Sequence, residues 1–284
     1  LNEINGRCKV SFRISSNVAA LVAQRNLGNA QRITDKALKA LGSGSRVSDP
    51  ADDAAGFAIS QSLKSQLSGI KQAKFNAEGA VSFIQTAEGS LNEQNNILIR
   101  LRELSVQSAS DTIGDNEREY LEKEFTQLNA EFDRIAQSAR YGGKKMLVGT
   151  NEEFEFHVGA FKGPENIIKF QLEANTTSQE VGIADLSVLD QSSAKDSLDS
   201  IDEALLGVMD ARSSFGAIQS RFQYAIDNLS SQYENIESAR SIIADVDFAD
   251  EITKLTKGQI LQDVGVSVLA QANSGARNAL MLLS

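Results

Sequence analysis

Apolar residues recur in steps of three and four along most of this chain. The longest series is Leu198, Ile201, Leu205, Val208, Arg212, Phe215, Gln219, Phe222, Ile226, Leu229, Tyr233, Ile236, Arg240 and Ile243, with only Arg212, Gln219 and Arg240 breaking the stripe. A sustained heptad of this kind predicts one helix roughly 68 Å long at about 1.5 Å per residue. A second series runs Ala77, Ala80, Ile84, Ala87, Leu91, Gln94, Leu98 and Leu101, and Phe83, Ile97 and Leu104 add a partial second stripe. That helix is expected to touch neighbours on two sides. A third series, Leu121, Phe125, Leu128, Phe132, Ile135 and Ala139, follows the turn Asp111-Thr-Ile-Gly-Asp, with Asp115 as the expected N-cap. Three helices of matching period predict an antiparallel bundle.

The middle of the chain changes period. Phe154, Phe156 and Val158 alternate with Glu155 and His157, and Ile168, Phe170 and Leu172 alternate with Lys169 and Gln171. With Lys162-Gly-Pro-Glu-Asn between them, these runs predict a β-hairpin. Residues 173–197 are polar and weakly patterned and read as a linker or small cap. Both ends are helical but slight: Ala20, Ala23, Leu27, Ala30, Thr34, Ala37 and Leu41 form one stripe, and Leu261, Val264, Val268, Ala272, Ala276, Ala279 and Leu283 the other. Isolated helices are marginal in water and an Ala-lined pair of them remains weak, so the ends are expected to be disordered in the monomer and to fold on assembly. The fold class is therefore mainly α: a long antiparallel helical rod, coiled-coil-like, with one small β-hairpin and paired terminal helices. Its parts are terminal helices at 1–46 and 245–284, a rod at 47–172 and 198–244, and a short outer linker at 173–197.

Composition sharpens this picture. Two prolines in 284 residues, and no Trp, permit long uninterrupted helices with thin seams. One His and one Cys exclude a Cys₄ or Cys₂His₂ zinc site and an intramolecular disulfide. A net charge of −10 argues against a nucleic-acid binder, and no apolar run approaches a membrane span of about 20 residues. Residues 1–46 hold eight basic side chains against two acidic, whereas 245–284 hold three against five, which favours the two ends lying side by side. No charged-then-apolar leader opens the sequence, so an exported protein would use a route that reads something else.

The candidate chemistry reduces to chain punctuation. Gly42-Ser-Gly-Ser-Arg lacks the Gly-Lys-Ser/Thr of a phosphate loop and reads as a break between helices. Ser48-Asp-Pro-Ala-Asp-Asp reads as a helix start, with Ser48 or Asp49 as N-cap and Pro50 at the first helical position. Asp245, Asp247, Asp250 and Glu251 likewise open a helix, and Tyr141-Gly-Gly-Lys-Lys turns the chain towards the hairpin. His157 is expected to face solvent and Cys8 to be a surface thiol; Asn175-Thr-Thr and Asn228-Leu-Ser match the short glycosylation pattern. No catalytic, cofactor or metal constellation is present, and no enzyme is expected.

Longer stretches identify a family. Phe12-Arg-Ile-Ser-Ser-Asn-Val-Ala-Ala-Leu-Val-Ala-Gln-Arg-Asn-Leu, Leu41-Gly-Ser-Gly-Ser-Arg-Val, and Asp52-Asp-Ala-Ala-Gly-Phe-Ala-Ile resemble the start of bacterial flagellins. Gln85-Thr-Ala-Glu-Gly-Ser-Leu and Arg100-Leu-Arg-Glu-Leu-Ser-Val-Gln resemble the flagellin rod helix. Ala239-Arg-Ser-Ile-Ile-Ala-Asp-Val-Asp-Phe-Ala-Asp-Glu and Leu269-Ala-Gln-Ala-Asn continue the likeness in family order, over about 12–148 and 200–284. The resemblance implies a structural subunit that self-assembles into the extracellular flagellar filament for swimming motility, leaving the cell by flagellar type III export without a cleaved signal peptide. The end helices would form the inner tube, with Leu27, Ala30, Leu41, Leu269, Ala272, Leu280 and Leu283 as assembly residues. Implied partners are further copies of the chain, an export chaperone on 245–284, and the filament cap and hook-associated proteins. An animal innate flagellin receptor is also implied, on the face of Arg100, Leu104 and Glu124, with Ile99 where a Gln is usual.

The chain also departs from the family pattern. Residues Leu1–Ser11 precede the usual start, so the subunit is expected to begin after them. The short central segment replaces the variable outer domains, and no His-Glu-x-x-His insertion occurs. A Pro often present after Ala272 is absent. The alternative reading is a hook-filament junction protein, which shares weaker versions of the same end helices.

Overall fold

The computed structural model describes residues 16–172 and 174–281, with side chains through residue 274. Cys8, Leu283 and the extra start Leu1–Ser11 lie outside the described residues. The protein is mainly α. Five α helices occur among the described residues: α1 (Val18–Ser43), α2 (Ala54–Ser108), α3 (Asp115–Ser138), α4 (Gln191–Ala244) and α5 (Phe248–Met281). The chain divides into two compact units, Leu1–Lys64 with Glu237–Ser284, and Ser65–Ile236.

In the 65–236 unit the heptads do what their period dictates. Every member of the α2 series from Ala77 to Leu101 is 1% exposed or less. Phe125 and Phe132 from α3, and Ile201, Val208, Phe215 and Phe222 from α4, close the same core. Cross-helix pairs fix the directions. Lys74 meets Ser230, Glu88 meets Arg212 and Arg102 meets Asp202, so α4 runs antiparallel to α2. Gln94 bonds to the Phe132 carbonyl and Arg100 to Glu124, so α3 is antiparallel to α2 as well.

The hairpin lies where alternation places it, β3 (Glu153–His157) pairing antiparallel with β4 (Ile167–Gln171) and Phe154 opposite Phe170. Its apolar face docks on the helices through Phe83–Phe154 and Phe156–Phe222 ring contacts at 5.1 and 5.2 Å. His157 is on the exposed face. A second, smaller hairpin also forms, β1 (Arg140–Tyr141) with β2 (Lys144–Lys145). Gly142 and Gly143 both have positive φ, +58° and +85°. Two such residues give the turn whose twist matches paired strands, so the glycines do more than bend the chain.

The polar segment after the hairpin is stapled down rather than free. Thr176, Ile183 and Val188 are buried. Asn129 of α3 donates to the Ile183 carbonyl at 2.7 Å, and the Val188 amide donates to Glu122 at 2.6 Å. Residues 191–197 already belong to α4, so the ordered segment ends seven residues before the expected linker does.

In the terminal unit α1 and α5 pair antiparallel, Asn17 reaching Ala272 at one end and Ser45 bridging to Asp245 at the other. Gly44, at φ +68°, ends α1 in the left-handed conformation. The chain then crosses the end of α4, where the Arg46 amide and the Ser45 hydroxyl both donate to the Ala244 carbonyl, at 2.7 and 2.9 Å. The orphan carbonyl of the last residue of that helix is thus satisfied. Two caps differ from expectation, and a third falls within it. Asp53, not Ser48 or Asp49, caps α2 by accepting from the Gly56 amide at 2.9 Å, because Asp49–Asp52 closes a turn first and leaves Pro50 outside the helix. Gly114 takes the N-cap of α3, with Asp115 the first helical residue. Asp247 caps α5, accepting from the Ala249 amide at 2.9 Å.

Candidate assembly surface

The α1–α5 seam is lined by small residues. Ala23, Ala30, Thr34, Ala37 and Ala40 are the buried positions of α1. Opposite them on α5, Glu251 and Gly258 are buried, and Leu255, Gln262, Gly265, Leu269 and Ala272 are half-buried, a heptad in its own right. Contact is close. A Cβ on Gly258 would stand 2.5 Å from Thr34 Oγ1, and one on Gly265 would stand 3.2 Å from Leu27 Cδ1. Gln262 Nε2 donates to Thr34 Oγ1 at 3.1 Å, and Asn17, which caps α1 through the Ala20 amide, donates its Nδ2 to the Ala272 carbonyl at 2.9 Å.

This seam is not the apolar stripe of α5. Leu261, Val264 and Val268, expected to face α1, are 42%, 52% and 51% exposed. They lie beside the seam, whose partners are Gly258, Gln262 and Gly265. A helix lined with Ala approaches most closely where its partner also lacks bulk, so the glycines win the interior and the branched residues stay outside. Ile252 and Ile260 join them, and on α1 Val18, Leu21, Val22, Ile33 and Leu38 are exposed as well. Scattered apolar residues at a surface are ordinary, whereas Leu261, Val264 and Val268 recur on one side of α5, an arrangement that suits a partner.

The expected assembly residues sort accordingly. Ala30, at 3% exposure, lies inside the intrachain seam, and Leu27 leans against Gly265. Leu41, Leu269 and Ala272 are half-buried at the seam edge. Leu280 lies in α5 beyond the described side chains, and Leu283 beyond the described residues. Sequence reasoning missed Leu21, Leu261, Val264 and Val268 as the outward set because it assigned the bulkiest stripe of α5 to the intrachain contact.

The three residues expected to form a receptor face do not all share a surface. Arg100 donates from Nε to Glu124 at 2.9 Å and from NH1 to Glu103 at 2.9 Å, so α2 and α3 are clasped there. Its guanidinium is held above the ordinary value, first by the Glu103 hydrogen bond and then by Glu124. Leu104 is fully buried in the core and offers a partner no side chain. The second stripe that contains Leu104 faces inward because α2 is packed on more than one side.

Behind this clasp sits a buried polar node. Gln94, fully buried, donates from Nε2 to the carbonyls of Phe132 and Thr176 at 3.2 and 3.1 Å. Its Oε1 accepts from the Thr176 hydroxyl at 2.8 Å. One amide thereby joins α2, α3 and the segment beyond β4. Among the described residues no group of three or more His, Cys, Asp or Glu is placed to hold a metal ion, and no helix is long and apolar enough to cross a membrane.

Comparison with known proteins supplies the family. The model of the bacterial flagellin N-terminal helical region matches residues 14–152, and that of the C-terminal helical region matches 198–283. A flagellin of Halalkalibacterium halodurans is 37% identical, covering 95% of this chain and 99% of that protein. A flagellar filament 33 kDa core protein of Treponema phagedenis is also 37% identical, with the same coverage of each. Among solved structures, a putative flagellar hook-associated protein of Vibrio parahaemolyticus aligns with a TM-score of 0.57 at 14% identity, over 68% of this chain and 99% of that one, which is a likeness of fold. Two family regions in order, a paired-helix terminus with an uncovered apolar face, and near full-length likeness to filament proteins place this chain in the bacterial flagellin family, as a structural subunit of the flagellar filament.

Proposed function

We propose that the α1–α5 pair is the polymerising element of this subunit, forming the inner layer of the filament while the helices and hairpins of 65–236 surround it. The observation that carries this reading is the uncovered stripe of Leu261, Val264 and Val268, with Val18, Leu21 and Val22 exposed on α1. A filament needs heterologous contacts that do not close into a ring, and an outward apolar face on a thin helix pair can meet a different face of the next copy. Export without a cleaved signal peptide is part of the same reading. In the unpaired state the same α5 stripe suits the groove of an export chaperone on 245–284. The filament cap and hook-associated proteins would be the neighbours at the filament's ends.

The test is Val264→Glu combined with Val268→Glu. Both sites are already half exposed, so the helical circular dichroism of the monomer is expected to persist while electron microscopy under salting-out conditions shows no filaments. Removal of 270–284, or Leu283→Asp, should do the same. Filaments of normal diameter and yield from the double Glu variant would defeat the reading.

A further inference from the structure

A knob and a groove in the 65–236 unit match in chemistry but cannot meet within one chain. The knob is the tip of the β3–β4 hairpin. Ala160 is wedged on α2, where a Cβ at Gly69 would stand 3.1 Å from the Ala160 Cβ, and it packs on the Ile70, Ala73 and Leu229 cluster. The tip is thus clamped, yet the next two side chains point outward: Phe161 is 60% exposed, and Lys162 is exposed with no acidic partner among the described residues. Glu165, the nearby acid, accepts from Asn166.

The groove, of about 670 Å³, lies between the segment after β4 and α4. Phe170, Val181 and Phe215 provide its apolar floor, and Glu180, Glu203 and Asp210 its rim. None of these three carboxylates has an ion pair among the described residues. The clamped tip sits level with Leu229, and about 20 residues of α4 separate it from the middle of the groove, an offset of about 30 Å.

We propose that the Phe161–Lys162 knob of one subunit seats in the Glu180, Glu203 and Asp210 groove of a second copy, the ring on the apolar floor and the ammonium at the acidic rim. The offset forbids the contact within a chain, and used head-to-tail between chains it is of the heterologous kind that extends a filament when the rotation does not close. Seated neighbours would be displaced by about 30 Å along α4. The inference rests on the filament reading but not on the α1–α5 face.

The experiment uses the full chain with a photo-crosslinking p-benzoylphenylalanine in place of Phe161. Filaments are first confirmed by electron microscopy, so failure to polymerise is separated from failure of this contact. Irradiation of filaments, but not of monomers, is expected to join residue 161 to the 203–215 peptide of another chain. Crosslinks elsewhere, or none in well-formed filaments, overturn the proposal. A charge test runs beside it: Lys162→Glu should raise the critical concentration by up to about fivefold, and Asp210→Lys in the same chain should restore it. Gly207→Phe, at a groove position where an added Cβ meets nothing within 4 Å, should leave the monomer folded and impair assembly comparably. Unchanged assembly in both Lys162→Glu and Gly207→Phe counts against the contact.

Discussion

Replacing Gln94 with leucine keeps the approximate size of the side chain and removes three hydrogen bonds from a site that water does not reach. The Thr176 hydroxyl loses its acceptor, and the carbonyls of Thr176 and Phe132 each lose a donor. A buried group left unsatisfied costs about 1–3 kcal/mol. Carbonyls tolerate the loss of one partner better than a donor does, so the hydroxyl carries most of the penalty. The added apolar burial of leucine returns about 1 kcal/mol, leaving an expected net loss of about 2–4 kcal/mol. Native-state hydrogen exchange at the amides of Leu98 and Leu101 reads the opening free energy of this part of the bundle directly. Thr176→Val should relieve the penalty, because replacing both partners by apolar groups of similar shape is far cheaper than orphaning one. A double-mutant cycle is therefore expected to give a coupling of about 1 kcal/mol or more. Strict additivity, or a Gln94→Leu cost under about 0.5 kcal/mol, would refute the view that this amide is a structural node.

Three further outcomes concern the α1–α5 seam, the cap of α5 and the exposed ion pairs. Gly258→Leu places bulk where Thr34 Oγ1 stands 2.5 Å from a Cβ, and it should destabilise the α1–α5 pair by about 1–3 kcal/mol, read as faster exchange along α1. Asp247→Ala removes the cap of α5 and should cost about 1 kcal/mol, seen as fraying of residues 248–252. Asp202 and Asp52 are held below the ordinary carboxylate value by hydrogen bonds from Arg102 and Lys36 respectively. Their stabilisation is present above the unfolded value of about pH 4 and is lost as pH falls through the lowered folded values. The thermal midpoint should therefore decline below about pH 4, less steeply in about 0.5 M salt because these pairs are exposed, and Asp202→Asn should flatten the decline.

The interior of the bundle is legible because burial there is decided by shape and period together. The series from Ala77 to Leu101 needs no tertiary information, since only one face of α2 holds it. Even Gln94 falls in that series, although the sequence does not say what its amide would bind. Period fails where a partner from elsewhere settles the matter. Thr176, Ile183 and Val188 lie in a segment with no pattern of its own, and Asn129, Glu122 and Ser108 hold it from other elements. The α5 stripe fails for a different reason. Apolar bulk predicts what wants to leave water but not whether the same chain supplies the cover, and here the closest approach goes to Gly258 and Gly265. Leu104 illustrates the converse, since a residue that the family resemblance assigned to a recognition face lies in the core.

The uncovered face of α5 has a consequence for the free subunit as a solute. Each chain carries a net charge of −10, a repulsion that reaches about 8 Å through physiological salt, whereas apolar attraction acts only near contact. On the proposed contact, two free copies must cross a barrier before the stripe of one reaches the other, and a lone pair would cover only part of what each exposes. A growing tip would by the same reading present several stripes at once, already in register. Growth from an existing end should then proceed at concentrations where new filaments do not start, and added salt should narrow the gap between the two thresholds.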